Sequence, residues 1–242
     1  MWRLCLLFPL ALWGAYEGSP AMPVEIEEGV AIADTKWYAF RIGGVQEWVY
    51  QLRMHGGGHR ATVYGWDALV TFDWTVGQRF DLEGRIGRGA LSGQWREGDV
   101  AVEMEGAPGL LWGGAAKIVF LESGDTSLGA QVQGGGWSYL EGRITLNGVP
   151  QAPKSHSELL FWQASVGIAQ KVGWTRPYAA LVVDQFMFKT RRAPGEMIYF
   201  QERHRIGGVL GVDLTTGTYW LLALESRMGF EEVLALSLQL RF

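Results

Sequence analysis

The chain has 242 residues, with 21 Lys plus Arg against 25 Asp plus Glu, for a formal charge of −4. The mild acidity and the lack of any basic run argue against nucleic acid as a partner, and the single cysteine, Cys5, leaves no disulfide or thiolate metal site. Mean hydropathy is near zero and no segment beyond the N-terminus is a long uninterrupted apolar helix, which excludes a helical membrane protein.

The first segment reads as an export address. Arg3 precedes an apolar stretch from Leu4 to Ala15 that is too short to span a bilayer as a helix, and Pro9, Gly14 and Pro20 interrupt it. Ser19-Pro20-Ala21 is a small-residue processing site, so residues 1–21 are expected to be a signal peptide cleaved after Ala21. Residues 22–34 form an acidic leader with Glu25, Glu27 and Glu28.

From residue 35 to residue 242 short alternating runs are separated by glycine-rich breaks, the pattern of β-hairpins. Alternation matters because successive side chains of a strand point to opposite faces. A strand is expected over about Lys36 to Gly43, with Tyr38, Phe40 and Ile42 opposite Arg41, and a second over about Gln46 to His55. In the second, Trp48, Tyr50, Leu52 and Met54 are expected to face out and Glu47, Gln51 and Arg53 in. Phe72, Trp74 and Val76 then oppose Asp73; Phe80, Leu82 and Ile86 oppose Asp81, Glu83 and Arg85; Val100, Val102 and Met104 oppose Glu103 and Glu105.

Leu110 to Leu121 is apolar around Lys117, with no clear register. Leu128, Ala130 and Val132 oppose Gln131 and Gln133; Leu140, Ile144 and Leu146 oppose Glu141 and Arg143. Leu160, Trp162, Ala164, Val166 and Ile168 alternate with Gln163, Ser165 and Gly167. Trp220, Leu222 and Leu224 oppose Glu225 and Arg227, and Leu234, Leu236, Leu238 and Leu240 alternate with smaller or polar residues up to Arg241 and Phe242. This is the pattern of a closed antiparallel transmembrane β-barrel of about 12 strands, within a range of about 10–14, in the outer membrane of a Gram-negative-type bacterium. The longest connections are expected at Gly148 to Ser157 and Lys189 to Met197.

Tryptophan and tyrosine prefer the headgroup level of a bilayer. Trp37, Tyr38, Trp112, Trp137, Trp174, Tyr178, Tyr199, Tyr219 and Trp220 lie near expected strand ends and together suggest aromatic girdles. The wet face supplies candidate pore-lining residues: Arg41, Glu47, Arg53, Asp73, Asp81, Glu83, Arg85, Glu103, Glu141, Arg143, Glu225, Arg227 and Arg241. Such mixed charges would pair across strands and leave a polar, weakly selective interior, or else plug it.

No catalytic constellation emerges. His156, Ser157 and Glu158 are adjacent, so in a strand their side chains cannot converge as a triad. The four histidines, at 55, 59, 156 and 204, lack metal-ligand spacing, and Gly56-Gly57-Gly58 is not followed by a phosphate-loop lysine. No enzyme activity, metal or cofactor is expected.

Several short segments resemble the chlamydial major outer membrane porins: Trp162-Gln163-Ala164-Ser165 with Pro177-Tyr178; Gly211-Val212, Thr215-Thr216, Tyr219, Glu225-Ser226-Arg227 and Glu231; the closing Gln239-Leu240-Arg241-Phe242; Ala21-Met22-Pro23-Val24; Phe40-Arg41 through Val49-Tyr50; and Trp74-Thr75-Val76-Gly77. They cover about a third of the chain, mostly at its two ends. The chain is shorter than members of that family and lacks their many cysteines, so their crosslinked envelope role is not implied. The resemblance implies a trimer-prone general porin in contact with outer-membrane lipid and lipopolysaccharide. In this reading Phe242 is the assembly signal presented to the barrel-assembly machinery. The reading that follows is passive diffusion of small hydrophilic solutes. The alternatives are a non-conducting structural or adhesive barrel, and a soluble sandwich that would have to cover its apolar strand faces internally.

Overall fold

Strand β1 (Tyr38–Gly56) is hydrogen-bonded to β2 (His59–Val76) at both of its ends and to β13 (Glu231–Arg241) from Arg41 to Leu52, so the sheet closes on itself. The structure is a computed structural model that describes residue 19 and residues 38–76, 79–151, 155–192, 196–202, 206–215, 219–229 and 231–241. The signal peptide, its Ala21 cleavage site, the leader, Trp37 and Phe242 therefore lie outside the described residues, apart from Ser19, which is buried.

Between these strands run β3 (Phe80–Glu97), β4 (Val100–Gly106), β5 (Gly109–Ser123), β6 (Thr126–Leu146), a stub β7 (Val149–Pro150) on β6, β8 (Ser155–Gln170), β9 (Thr175–Arg192), β10 (Glu196–Glu202), β11 (Ile206–Leu214) and β12 (Trp220–Met228). All pairings are antiparallel. β4 and β5 share one position between β3 and β6, and β10 and β11 share another beside β9, giving ten positions around the barrel. Ten lies at the lower edge of the range expected from the sequence.

Strands come out fewer because they are longer. Gly43 and Gly44 do not end a strand but lie within β1, and the expected runs on either side of Gly134, Gly135 and Gly136 are one strand, β6. Glycine here serves close approach. A Cβ on Gly43 would stand 2.7 Å from Gln239 Cγ and Thr71 Oγ1, and one on Gly106 would stand 1.8 Å from the Leu91 carbonyl oxygen. The two longest expected connections shrink as well, since β8 begins at Ser155 and β9 continues to Arg192.

The strand count changes along the axis. The β12–β13 hairpin stops where Glu231 pairs with Leu52, and beyond it β1 pairs directly with β10 through Met54–Glu202 and His55–Gln201. The barrel thus narrows from ten strands at the end bearing Tyr38 and Arg241 to eight at the other. An eight-stranded ring is just wide enough for side chains to fill.

Candidate functional site: the barrel interior and its outer belt

The alternating rows change character half-way along the strands. On β2 the inward row reads Ala61 and Val63, then Asp67, Leu69, Thr71, Asp73 and Thr75, all buried. The outward row reads Thr62 and Tyr64, then Trp66, Val70, Phe72, Trp74 and Val76, the last five of which are exposed. Near the chain termini the barrel is therefore apolar outside and charged inside. At the narrow end it is polar outside and apolar inside, like a soluble protein. β3 repeats the inversion: inward Asp81, Glu83 and Arg85 give way to Leu91 and Trp95, while outward Phe80, Leu82 and Ile86 give way to Gln94 and Arg96.

The charged half is knit by ion pairs. Arg41 lies 2.7 Å from Asp81 and 3.3 Å from Asp73. Glu83 holds Arg85 and, at 3.4 Å, Lys117. Arg227 reaches three carboxylates, Glu231 at 2.8 Å, Glu225 at 3.0 Å and Glu47 at 3.8 Å, so it ties β12 to β13 and β1. Gln133 donates to Gln163, which in turn donates to Asp184. Eight expected lining residues thus do face the interior: Arg41, Glu47, Asp73, Asp81, Glu83, Arg85, Glu225 and Arg227, each buried.

Three do not: Arg53, Glu103 and Arg143 are on the outer surface. For Arg53 the cause is a β-bulge. The register of β1 on β13 slips between Val49 and Gln51, Tyr50 is the extra residue, and every later side chain changes face, so Leu52 and Met54 turn in. For Glu103 and Arg143 the alternation is intact, but they belong to the narrow half, where Val102, Met104 and Ile144 take the inside. The side chains of Glu141 and Arg241 lie outside the described residues.

Further interior groups escape the sequence reading: Asp67, Arg176, Asp184, Asp213 and Glu231 are all buried. Asp67 and Asp184 sit in runs too apolar to flag, and Glu231 begins a strand whose register only the β13 pairing fixes. Lys117, left without a register by its apolar run, also points in.

The narrow half is closed by aromatic packing. The rings of Trp95 on β3 and Phe200 on β10, strands that are not hydrogen-bonded to each other, are 5.4 Å apart. Phe188 joins Phe200 at 6.2 Å, and Phe161 stacks on Phe186 at 5.5 Å. A small cavity at the junction of the halves is lined by Glu47, Asp67 and Arg85 on one side and Leu69, Leu111, Trp137 and Phe161 on the other. Trp137 and Tyr178, expected in a girdle, are interior residues.

Outside, aromatics bracket an apolar belt. Trp66 and Trp74 stand at its two edges on β2, and Trp112 and Phe120 do so on β5. Eight residues of strand rise about 27 Å, or about 20 Å along the barrel axis once a tilt of about 40° is allowed for, close to the apolar band of outer-membrane barrels. Trp174, Tyr219 and Trp220 are exposed at the termini end, and Leu236, Leu238 and Leu240 of β13 face outward within the belt. A soluble sandwich would have covered those leucines. A closed wall leaves no unpaired strand edge in lipid, which only a barrel or a helix achieves. The chain is an outer-membrane β-barrel.

No protein-family model and no curated protein matches the chain. Among solved structures it is similar to the translocator domain of the autotransporter NalP from Neisseria meningitidis, with 12% identity over 92% of this chain and 93% of that one and a TM-score of 0.45. It is also similar to the outer membrane protease OmpT from Escherichia coli, with 7% identity over 85% and 96% and a TM-score of 0.45. A third is Ail, the attachment invasion locus protein of Yersinia pestis, with 10% identity over 85% and 97% and a TM-score of 0.34.

Proposed function

We propose that this chain is a non-conducting outer-membrane barrel with a structural or adhesive role, which anchors a rigid polar-surfaced half above the bilayer. The single observation that carries the reading is the Trp95–Phe200 contact, 5.4 Å between ring centroids, in the half of the barrel that is only eight strands wide. Passive diffusion of small hydrophilic solutes draws support from the charged interior of the membrane half. It requires, however, that water also pass the aromatic layer, and Phe188, Phe200, Leu91 and Met104 are all among the largest side chains fully buried there. Mixed charges that pair with each other act on this reading as a seal rather than a filter. The proposal assigns no catalytic step.

The test is planar-bilayer recording on refolded protein, with folding shown by heat-modifiable migration. The expected result is a flat baseline from folded protein. Stepwise current from it would overturn the proposal and restore the diffusion reading.

A further inference from the structure

The outward row of β3 departs from the girdle pattern at one position. Eight residues separate the paired aromatics Trp66 and Trp74 on β2 and Trp112 and Phe120 on β5. On β3 the same interval runs from Phe80 through Leu82, Gly84 and Ile86 to Arg88, which is exposed. An arginine thus occupies the position of a girdle aromatic at the edge of the belt nearest the projecting half.

Its surroundings are apolar. Arg88 is directly opposite Ala68 on β2 and Leu110 on β5, with Trp66 and Trp112 as diagonal neighbours on the same face. Several other outward cations have partners: Arg53 lies near Glu232, Arg79 near Glu122, Lys189 over the Tyr199 ring, and Arg143 opposite Glu105. Arg60 and Arg96 have none among the described residues, but they belong to the narrow half, whose outer surface is polar. Among the described residues Arg88 has no carboxylate partner. A guanidinium flanked by aliphatic and indole side chains at the lipid boundary calls for an anion from the lipid itself, and its planar fork matches two phosphate oxygens.

We propose that Arg88, framed by Trp66 and Trp112, binds a phosphate of an outer-leaflet glycolipid of the lipid A type. The choice of leaflet follows from the barrel's asymmetry. At the termini end the β2–β3 connection follows directly after Val76, whereas at the opposite end the strands run on past the belt, and in outer-membrane barrels the longer excursions lie on the outer side. The inference rests on the reading of the belt as membrane-embedded.

The test is native mass spectrometry of wild type, Arg88→Gln and Arg88→Lys released from bilayers of phosphatidylcholine doped with equal amounts of lipid A and phosphatidylglycerol. Insertion of each is first established by protection of the belt strands from protease. Wild type is expected to retain one lipid A that Arg88→Gln loses, with Arg88→Lys retaining part of it through a single-point contact. Equal lipid A retention by inserted wild type and Arg88→Gln would overturn the Arg88 assignment alone. Loss of phosphatidylglycerol rather than lipid A would overturn the choice of lipid. Failure of wild type to insert would overturn the belt reading on which both depend.

Discussion

The Tyr178 hydroxyl donates a 2.8 Å hydrogen bond to Glu225 Oε2, and the tyrosine ring reaches it by lying across Gly211. Gly211 on β11 pairs with both Tyr178 on β9 and Glu225 on β12, so the ring bridges a strand that offers no side chain of its own. A Cβ at position 211 would fall 2.2 Å from Tyr178 Cζ. Gly211→Ala is therefore expected to displace the ring and break the bond. Tyr178→Phe keeps the ring but leaves a buried carboxylate one donor short, at a cost of about 1–3 kcal/mol. Urea unfolding in detergent should show the two effects to be strongly non-additive in the double mutant, because both act on one contact.

Arg227 is the cation on which the most buried acids converge. Replacing it with methionine preserves bulk but strands Glu47, Glu225 and Glu231 in a low-dielectric interior, with an expected loss of about 3–5 kcal/mol. Adding Glu231→Gln, which removes the acid nearest Arg227, should restore part of it. The contrast is Arg53→Gln: its pair with Glu232 is more than half exposed and 3.8 Å long, and the change should stay within about 0.5 kcal/mol.

How far the sequence could be read follows from these same residues. Period-two alternation revealed strands and their two faces, and in the membrane half the assignment of faces holds: Asp81, Glu83 and Arg85 face in, and Phe80, Leu82 and Ile86 face out. Alternation alone is symmetric, however. A row of valine and methionine against a row of glutamate looks alike whether the apolar side meets lipid or a core, which is why Val102 and Met104 turn inward while Glu103 faces water. The bulge at Tyr50 is a property of the β1–β13 pairing and has no local mark in the sequence. Gly57 and Gly58 do form the turn between β1 and β2, whereas Gly43, Gly135 and Gly136, also read as breaks, are points of close backbone approach within long strands, since that pattern does not distinguish a turn from a crowded wall.

The apolar layer of the narrow half makes a separate prediction. Phe200 packs on both Trp95 and Phe188 and is 1% exposed. Phe200→Ala should cost about 3–5 kcal/mol through the cavity it leaves. Since the belt and the ion-paired layer are untouched, the loss should be local. Limited proteolysis of the inserted variant should cleave the projecting half first while the belt strands stay protected.

The position of the membrane boundary can be tested with one substitution on each side of it. Val70 is 44% exposed and lies midway between Trp66 and Trp74 on the outer face of β2. Gln94 is exposed on the adjacent strand, where it donates to the Tyr64 hydroxyl at 3.3 Å, above the belt. An arginine at the bilayer midplane of an outer-membrane barrel costs about 2–4 kcal/mol, because its charge must leave water. Val70→Arg should carry that cost when unfolding is measured in lipid vesicles, whereas Gln94→Arg, on a surface already in water, should change stability by less than about 0.5 kcal/mol. If the two cost the same, the apolar rows on β2, β3 and β5 would not be facing lipid, and the inversion half-way along the strands would need another cause. A penalty for Val70→Arg that vanishes once the vesicles are replaced by a protein layer would instead identify that layer as the natural solvent of the belt.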